Sequence, residues 1–453
     1  MSDSRNAVDP ATGPSASSER FCWCLPALLC WLLSSASSLH AEEPATDDDR
    51  RIIVAIEEQA DPAPMIGSSA RGYGALPNYS GSARTLAASA RLALDHDLSE
   101  VSAWTIDPLR VRCMLYEISP GSEREDVLAR LRQDRRVRLA QPLQEFSTFS
   151  KAAGVSADSG RDSLETQFND PYVALQIGFD SIGAATAQRL ANGDDIRIAL
   201  IDTSVDAAHP DLHGRIVTQR DFVDLPTREL DRHATEVAGV IAAVANNGIG
   251  IVGVSPGVTI YSYRACWPVD SGGSAARCNS FTLAQALAAA IDSDAQIINL
   301  SLGGPHDPLL EQLLDVAFSD GMIVVGATPI GGVPEGFPSG VAGVIAVRSS
   351  TADVRLGMGA ALAAPGEQIL TLEPGGSYDY ASGSSLATAH VTGTIALLLQ
   401  LVPGLDAPAL SELLGRTSKE GPGLIDACAA VHAVRRAQGS CIEQLSGLSS
   451  GIH

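Results

Sequence analysis

Apolar positions fall into two regimes separated by a polar stretch. In the first, Arg51 to Ile56 is a short β-branched run, and Pro62 to Ser82, rich in Gly, Ser and Pro, reads as a loop. Ala83 to Leu98 sets Leu86, Ala90, Leu92 and Leu94 among good helix formers and predicts a helix. Leu109 to Ile118 alternates as a strand does. Ser122 to Asp134 carries a Ser three residues before a Glu, a capping-box pattern, with Val127, Leu128 and Leu131 on one face. Val137 to Phe146 predicts another strand. The order β-α-β-α-β predicts a small open-faced α+β sandwich.

Ser147 to Thr166 is rich in Ser, Gly and charge and has the composition of a linker. From about Asp170 the pattern changes to buried runs alternating with helical ones. Strands are predicted at Arg197–Ile201, Thr259–Arg264, Ile297–Ser301, Met322–Val325 and Val344–Val347. Helices are predicted at Thr235–Ala245, Phe281–Asp292, Asp307–Phe318 and, long and apolar, Ser385–Leu401. Such alternation predicts an α/β unit, a parallel sheet with helices on both faces.

Composition fits a loop-rich globular protein, with 45% hydrophobic residues, 42 Gly and 25 Pro. The 53 acidic against 31 basic side chains leave a net charge of −22. That balance disfavours nucleic acid or an anionic lipid surface as partner. The apolar run Phe21 to Leu33, after Arg20 and before the small residues Ser34 to Ser38, has the layout of a secretory signal peptide, with cleavage near Ala36 or Ala41. The expected location is therefore secreted or periplasmic; the alternative is a membrane anchor through residues 21–33. Cys22, Cys24 and Cys30 fall in this segment and Cys113 in the first regime. The other four form two close pairs, Cys266 with Cys278 and Cys428 with Cys441. In an oxidising compartment these read as two short-range disulfides, although four cysteines allow three connectivities.

Three segments bear chemistry where a parallel sheet places it, beyond a strand's carboxyl end or at a helix start. Ile198-Ala-Leu-Ile-Asp202 ends an apolar strand on a carboxylate, with His209-Pro-Asp-Leu212 after it. His233-Ala-Thr-Glu-Val-Ala-Gly239 opens a small-residue helix. Ser382-Gly-Ser-Ser385-Leu-Ala-Thr-Ala-His390 places a Ser at the positive end of a buried helix, which favours a developing oxyanion. Singly, each also fits a capping role.

Together, in this chain order, they resemble the Asp, His and Ser motifs of the subtilisin-like serine peptidases. The family's His-Gly-Thr-His-Val-Ala-Gly is His233-Ala-Thr-Glu-Val-Ala-Gly here, and its Gly-Thr-Ser-Met-Ala-Ala-Pro-His is Gly383-Ser-Ser-Leu-Ala-Thr-Ala-His390. The resemblance covers roughly Asp170 to Cys441. It implies a secreted serine endopeptidase in which Asp202 orients the imidazole, His233 is general base then acid, and Ser385 is the nucleophile. Ile297-Ile-Asn-Leu-Ser-Leu-Gly-Gly304 resembles the cleft-lining strand, so Ser301, Leu302 and Gly303 should pair with an extended protein or peptide substrate. Asn246 to Pro256 resembles a loop that wraps calcium in some members. Asp211 and Asn247 would supply side-chain oxygens to a structural Ca²⁺, the chemistry itself needing no cofactor.

The resemblance also gives residues 42–146 the role of a propeptide, a partner to residues 170–445. Self-processing is then expected in the linker 147–169, after a signal peptide at 1–41 and before a short tail at 446–453, in a monomer. One feature departs from the family. Relatives follow the strand equivalent to Gly321-Met-Ile-Val-Val325 with a Gly and then an Asn whose amide serves the oxyanion; here the chain reads Gly326-Ala-Thr-Pro-Ile-Gly-Gly332. A length-preserving alignment puts Pro329 or Ile330 at that place, and a shorter turn puts Thr328 there, with a hydroxyl to donate. The alternative is a catalytically weak or inactive pseudo-protease.

Overall fold

The computed structural model describes residues 47–59, 82–152, 167–224, 231–269, 273–351, 361–419 and 423–436. The expected signal segment, most of the 147–169 linker, Cys441 and the 446–453 tail lie outside the described residues. The N-terminal part runs β1 (Arg51–Glu57), α1 (Ala83–His96), β2 (Leu98–Ile106), β3 (Val111–Ile118), α2 (Arg124–Gln133) and β4 (Val137–Pro142). Its four strands form an antiparallel sheet in the order β2-β3-β1-β4.

Successive side chains of a strand point to opposite faces, and both faces of β1 are covered. Ile52, Val54 and Ile56 pack with Leu92 of α1 and Val127, Leu128 and Leu131 of α2. Ile53 and Ala55 face the other way, into a second core. Two details depart from the pattern reading. β2 went unpredicted because Leu98-Ser-Glu-Val-Ser-Ala-Trp-Thr-Ile106 is a half-exposed edge strand. The expected capping box at Ser122 does not form: Glu123 is the N-cap and makes no side-chain cap bond. Glu125 and Asp126 in the first turn complement the helix dipole there.

After β4 the chain leaves this sheet. Gln144 N donates to Ser280 Oγ at 3.0 Å and Ser280 N to Gln144 O at 3.0 Å, so the predicted strand Val137–Phe146 breaks in two. Its end belongs to β5 (Glu145–Thr148), followed by β6 (Lys151–Ala152). Two short helices follow, α3 (Ile177–Ser181) and α4 (Ala184–Ala187). Then come β7 (Arg197–Asp202), β8 (Ile216–Asp221), α5 (Arg232–Ala242), β9 (Thr259–Arg264), β10 (Cys266–Pro268), β11 (Ala276–Asn279) and α6 (Ser280–Ile291). Next are β12 (Ile297–Leu300), β13 (Leu302–Gly303), α7 (Pro308–Ser319), β14 (Ile323–Ala327) and β15 (Ile345–Ser349). After these come β16 (Leu362–Ala364), β17 (Ile369–Glu373), β18 (Ser377–Ser382), α8 (Ser384–Leu401) and α9 (Ala407–Arg416), with residues 427–436 also helical.

Seven strands form a parallel sheet in the order β16-β15-β14-β12-β7-β9-β8. Helices cover both faces, as the alternation predicts. One face packs on α5 and α8, through residues such as Val237, Ile241, Leu386 and Ile395. The other packs on α6 and α7 through Leu283, Leu287, Leu310 and Leu313, and the inward face of the N-terminal sheet joins the same core with Ile53, Cys113 and Leu115. Gln141 of β4 reinforces that junction. Its amide donates to Asp307 Oδ2 at 2.8 Å and its carbonyl accepts from Leu309 N at 3.1 Å, capping the start of α7.

Candidate active site

β7 lies near the centre of the sheet and ends on Asp202, fully buried, at the carboxyl edge. Asp231 precedes α5 and ties three elements together: its carboxylate accepts from Ser204 N at 3.0 Å and lies 3.6 Å from Arg264 Nε at the end of β9. Thr203 Oγ1 accepts from Ala234 N at 3.1 Å, fixing the first turn of α5 against the end of β7. The result sets His233 Nδ1 2.7 Å and 2.9 Å from the two carboxylate oxygens of Asp202. Burial of the imidazole favours its neutral form, but the charge and hydrogen bond of Asp202, helped by Glu236, carry its pKa above the ordinary value. His233 Nε2 is buried and has no hydrogen-bond partner among the described residues.

Ser385 is the second residue of α8, behind Gly383. Its hydroxyl donates to Ser301 O at 2.9 Å and accepts from Phe149 N at 3.2 Å. Ser301 in turn is held by its own hydroxyl, which reaches Asn299 Oδ1 at 3.0 Å and Ser385 O at 3.2 Å. Gly383 is required by contact as well as by its φ of 155°, since a Cβ there would overlap the carbonyl oxygen of Phe149.

Phe149 belongs to the stretch expected to be a linker, yet it lies against Ser385. β5 lies between β11 and β13, antiparallel to both: Ser147 is opposite Arg277 and Gly303, and Thr148 is opposite Leu302. β6 pairs with β18, Lys151 opposite Ser382. Residues 145–152 therefore cross the carboxyl edge of the sheet as an added strand, with the Phe149–Ser150 peptide bond beside Ser385. Leu302 and Gly303 pair with an extended stretch of the protein's own chain. The Phe149 ring lies over Gly303, where a Cβ would come within 2.7 Å of two ring atoms. Phe146 packs edge-on against Phe337 at 5.6 Å. The only hint in the sequence was two Phe three residues apart in an otherwise polar run.

Thr328 directly follows β14 and is fully buried. Its backbone is fixed at both ends, N–H donating to Val347 O at 2.8 Å and carbonyl accepting from Ser384 Oγ at 2.7 Å. Its hydroxyl has no partner among the described residues. Thr328 lines a cavity of 310 Å³ together with Phe149, Ser150, Gly383 and Ser384. Pro329 and Ile330, the length-preserving candidates, also border this cavity, and Ile330 is 100% exposed.

Cys266 and Cys278 face each other across the β10–β11 hairpin and are joined, as expected, which clips the edge that holds β5. Cys428 is half-buried and has no disulfide partner among the described residues, and its expected partner Cys441 lies outside them. Asp211 and Asn247 are adjacent, but their oxygens are engaged. The Asp211 carboxylate accepts from Asn247 Nδ2 at 2.7 Å, from Ile251 N at 3.0 Å and from the Tyr378 hydroxyl, while Asn247 Oδ1 accepts from Ile249 N at 3.0 Å. A calcium ion needs oxygens converging on one point with lone pairs free, and donors occupy them here, so this arrangement does not fit the ion.

An Asp–His pair and a hydroxyl at a helix start lie at the carboxyl edge of a seven-stranded parallel sheet, with the hydroxyl beside an extended strand. The chain belongs to the subtilase family, whose model matches residues 193–440, and is a subtilisin-like serine endopeptidase. It is 36% identical over 241 residues to thermitase of Thermoactinomyces vulgaris, covering 51% of this chain and 84% of that one. It is 39% identical over 211 residues to the thermophilic serine proteinase of Bacillus sp. strain AK1, covering 44% of this chain and 51% of that protein. The crystal structure of fervidolysin from Fervidobacterium pennivorans, a keratinolytic enzyme related to subtilisin, superposes with a TM-score of 0.63. That match covers 84% of this chain and 60% of that one at 21% identity, a likeness of fold alone.

Proposed function

We propose that the chain is the precursor of a secreted, monomeric endopeptidase that cuts itself between Phe149 and Ser150, with Asp202, His233 and Ser385 as its triad. The observation that carries this is the path of residues 145–152, strand-paired on both sides and threaded past Ser385 as an extended substrate would be. Ser385 Oγ turns from Ser301 O and attacks the Phe149 carbonyl carbon while His233 Nε2 takes its proton. Asp202 stabilises the imidazolium so formed. The oxyanion receives the backbone N–H of Ser385 at the start of α8 and the Thr328 hydroxyl. The bond from the Phe149 carbonyl carbon to Ser150 N then breaks, and the imidazolium gives its proton to that nitrogen. Water, deprotonated by His233, hydrolyses the Phe149 acyl ester and frees Ser385.

Residues 42–146 act as the propeptide. They share a core with α6 and α7, and Gln141 caps α7, so this part supports the helices that back the sheet. Its last strand fills the cleft until the cut. N-terminal sequencing of the incubated full-length chain is expected to return Ser150 as the new terminus. A first mature chain beginning at any residue other than Ser150 would refute the assignment.

Catalysis requires no metal, and Asp211 and Asn247 hold their loop through hydrogen bonds. Incubation with excess EGTA is expected to move the thermal midpoint by less than about 2 °C, against the roughly 2.7 kcal/mol that a ligand at a hundredfold excess over its dissociation constant would supply. A drop of many degrees, restored by added calcium, would show that the loop rearranges around the ion.

A further inference from the structure

We propose that the cleft selects a hydroxyl-bearing side chain, threonine above others, at the residue immediately before the one whose carbonyl is attacked, and that Glu236 and Ser274 position the rim that reads it. This rests on the reading of residues 145–152 as a substrate-like occupant. In that occupant the residue concerned is Thr148, which is buried. Its hydroxyl accepts from Ala276 N at 2.9 Å and donates to Ser274 O at 3.3 Å. One side chain thus satisfies a backbone donor and a backbone acceptor at the start of β11, where the ladder from Ser147 and Arg277 ends. A valine has the same outline and can satisfy neither. An interaction of this kind discriminates by leaving buried partners unmade, and not through apolar area.

The rim is not free to move away from a wrong side chain. Ser274 is buried and its hydroxyl donates to Glu236 Oε1 at 2.7 Å. Glu236 is fully buried on α5, three residues beyond His233, and its Oε1 also lies 3.7 Å from Arg232 Nε. The disulfide between Cys266 and Cys278 restrains the same hairpin from its other end. Family members usually carry His where this chain has Glu236, so the carboxylate that holds Ser274 is a departure from the family pattern. Glu236 and Ser274 touch neither Ser385 nor the Phe149 carbonyl in any hydrogen bond of the described residues. They act through the position of the Ser274 carbonyl.

The test uses the full chain and its mature product. Wild-type, Thr148→Ser and Thr148→Val precursors are incubated, and the half-time for appearance of the Ser150 terminus is read by intact mass. Thr148→Val is expected to slow the cut at least about tenfold, with Thr148→Ser staying within about threefold of wild type. The mature enzyme is then given Phe-Ser-Thr-Phe and Phe-Ser-Val-Phe p-nitroanilides. It should prefer the Thr peptide at least about tenfold in kcat/KM, and Ser274→Ala enzyme should lose most of that ratio while still cutting both. Equal rates for Thr148→Val and wild type at the same bond, or equal kcat/KM for the two peptides, overturns the proposal. A ratio unchanged in Ser274→Ala removes the positioning role of Ser274 and Glu236. A precursor cut at another bond sinks the processing assignment, and the peptide ratio still decides selectivity; a wild-type precursor that is never cut sinks both.

Discussion

A Ser385→Ala precursor is expected to remain uncut when incubated alone, under conditions where the wild-type chain is converted to the Ser150 form. Deleting the nucleophile of a triad removes on the order of six powers of ten from turnover, which takes self-cleavage beyond any practical incubation. The same substitution should abolish labelling by a fluorophosphonate, which reports an activated Ser and spares an inert one. The wild-type precursor should itself label slowly before the cut, because the Ser385 hydroxyl accepts a hydrogen bond from Phe149 N and donates one to Ser301 O. Labelling should rise as the Ser150 product accumulates and residues 145–149 are released from the cleft. Probe reactivity at full length equal to that of the mature form would contradict an occupied cleft. Conversion of purified Ser385→Ala chain would show that another protease makes the cut.

The sequence exposed most of the sheet because parallel strands buried on both faces are continuous apolar runs. The apolar run Thr259–Arg264 coincides with β9, and the other predicted parallel strands lie within about two residues of their observed bounds. The three chemical groups were legible for a related reason: each sits at the boundary of an apolar run, Asp202 where a strand stops and His233 and Ser385 where helices start, and only their combination separates them from ordinary caps. What stayed hidden depends on pairing over long distances. Residues 145–152 are polar and unpatterned, and they become strands by borrowing the edges of β11, β13 and β18. The bond from Ser274 to Glu236 joins residues 38 apart in sequence, one just before β11 and one on a helix. The motif reading marked Glu236 only as a departure from the family His. The hydrogen bonds that occupy Asp211 and Asn247 were equally invisible, since an Asp and an Asn in a loop suit an ion and suit each other.

Thr328→Val is expected to lower kcat on a peptide substrate by roughly two orders of magnitude while leaving KM within about threefold, the second largest effect anticipated. No Asn follows β14, and the length-preserving places hold Pro329 and Ile330, the latter fully exposed. Pro329 has no N–H to give. Thr328 remains, fixed through its own N–H and carbonyl, with a buried hydroxyl that no described group satisfies. A buried hydroxyl without a partner is destabilising by about 1–3 kcal/mol in the resting protein, so retaining it there calls for a partner formed during the reaction. The cavity it borders contains Phe149, Ser150 and Ser384, and the oxyanion grows on the Phe149 carbonyl. Removing one oxyanion donor costs roughly 10²–10³ in turnover, and the bond is made in the transition state more than in the ground state, hence the split between kcat and KM. Valine keeps the shape and relieves the unpaired hydroxyl, so the variant should be no less stable than wild type. Thermal unfolding then separates loss of a donor from loss of fold. Thr328→Ser, which restores the hydroxyl, should recover most of the rate. An unchanged kcat in the valine variant would strip Thr328 of the role and leave the Ser385 N–H as the remaining assigned donor.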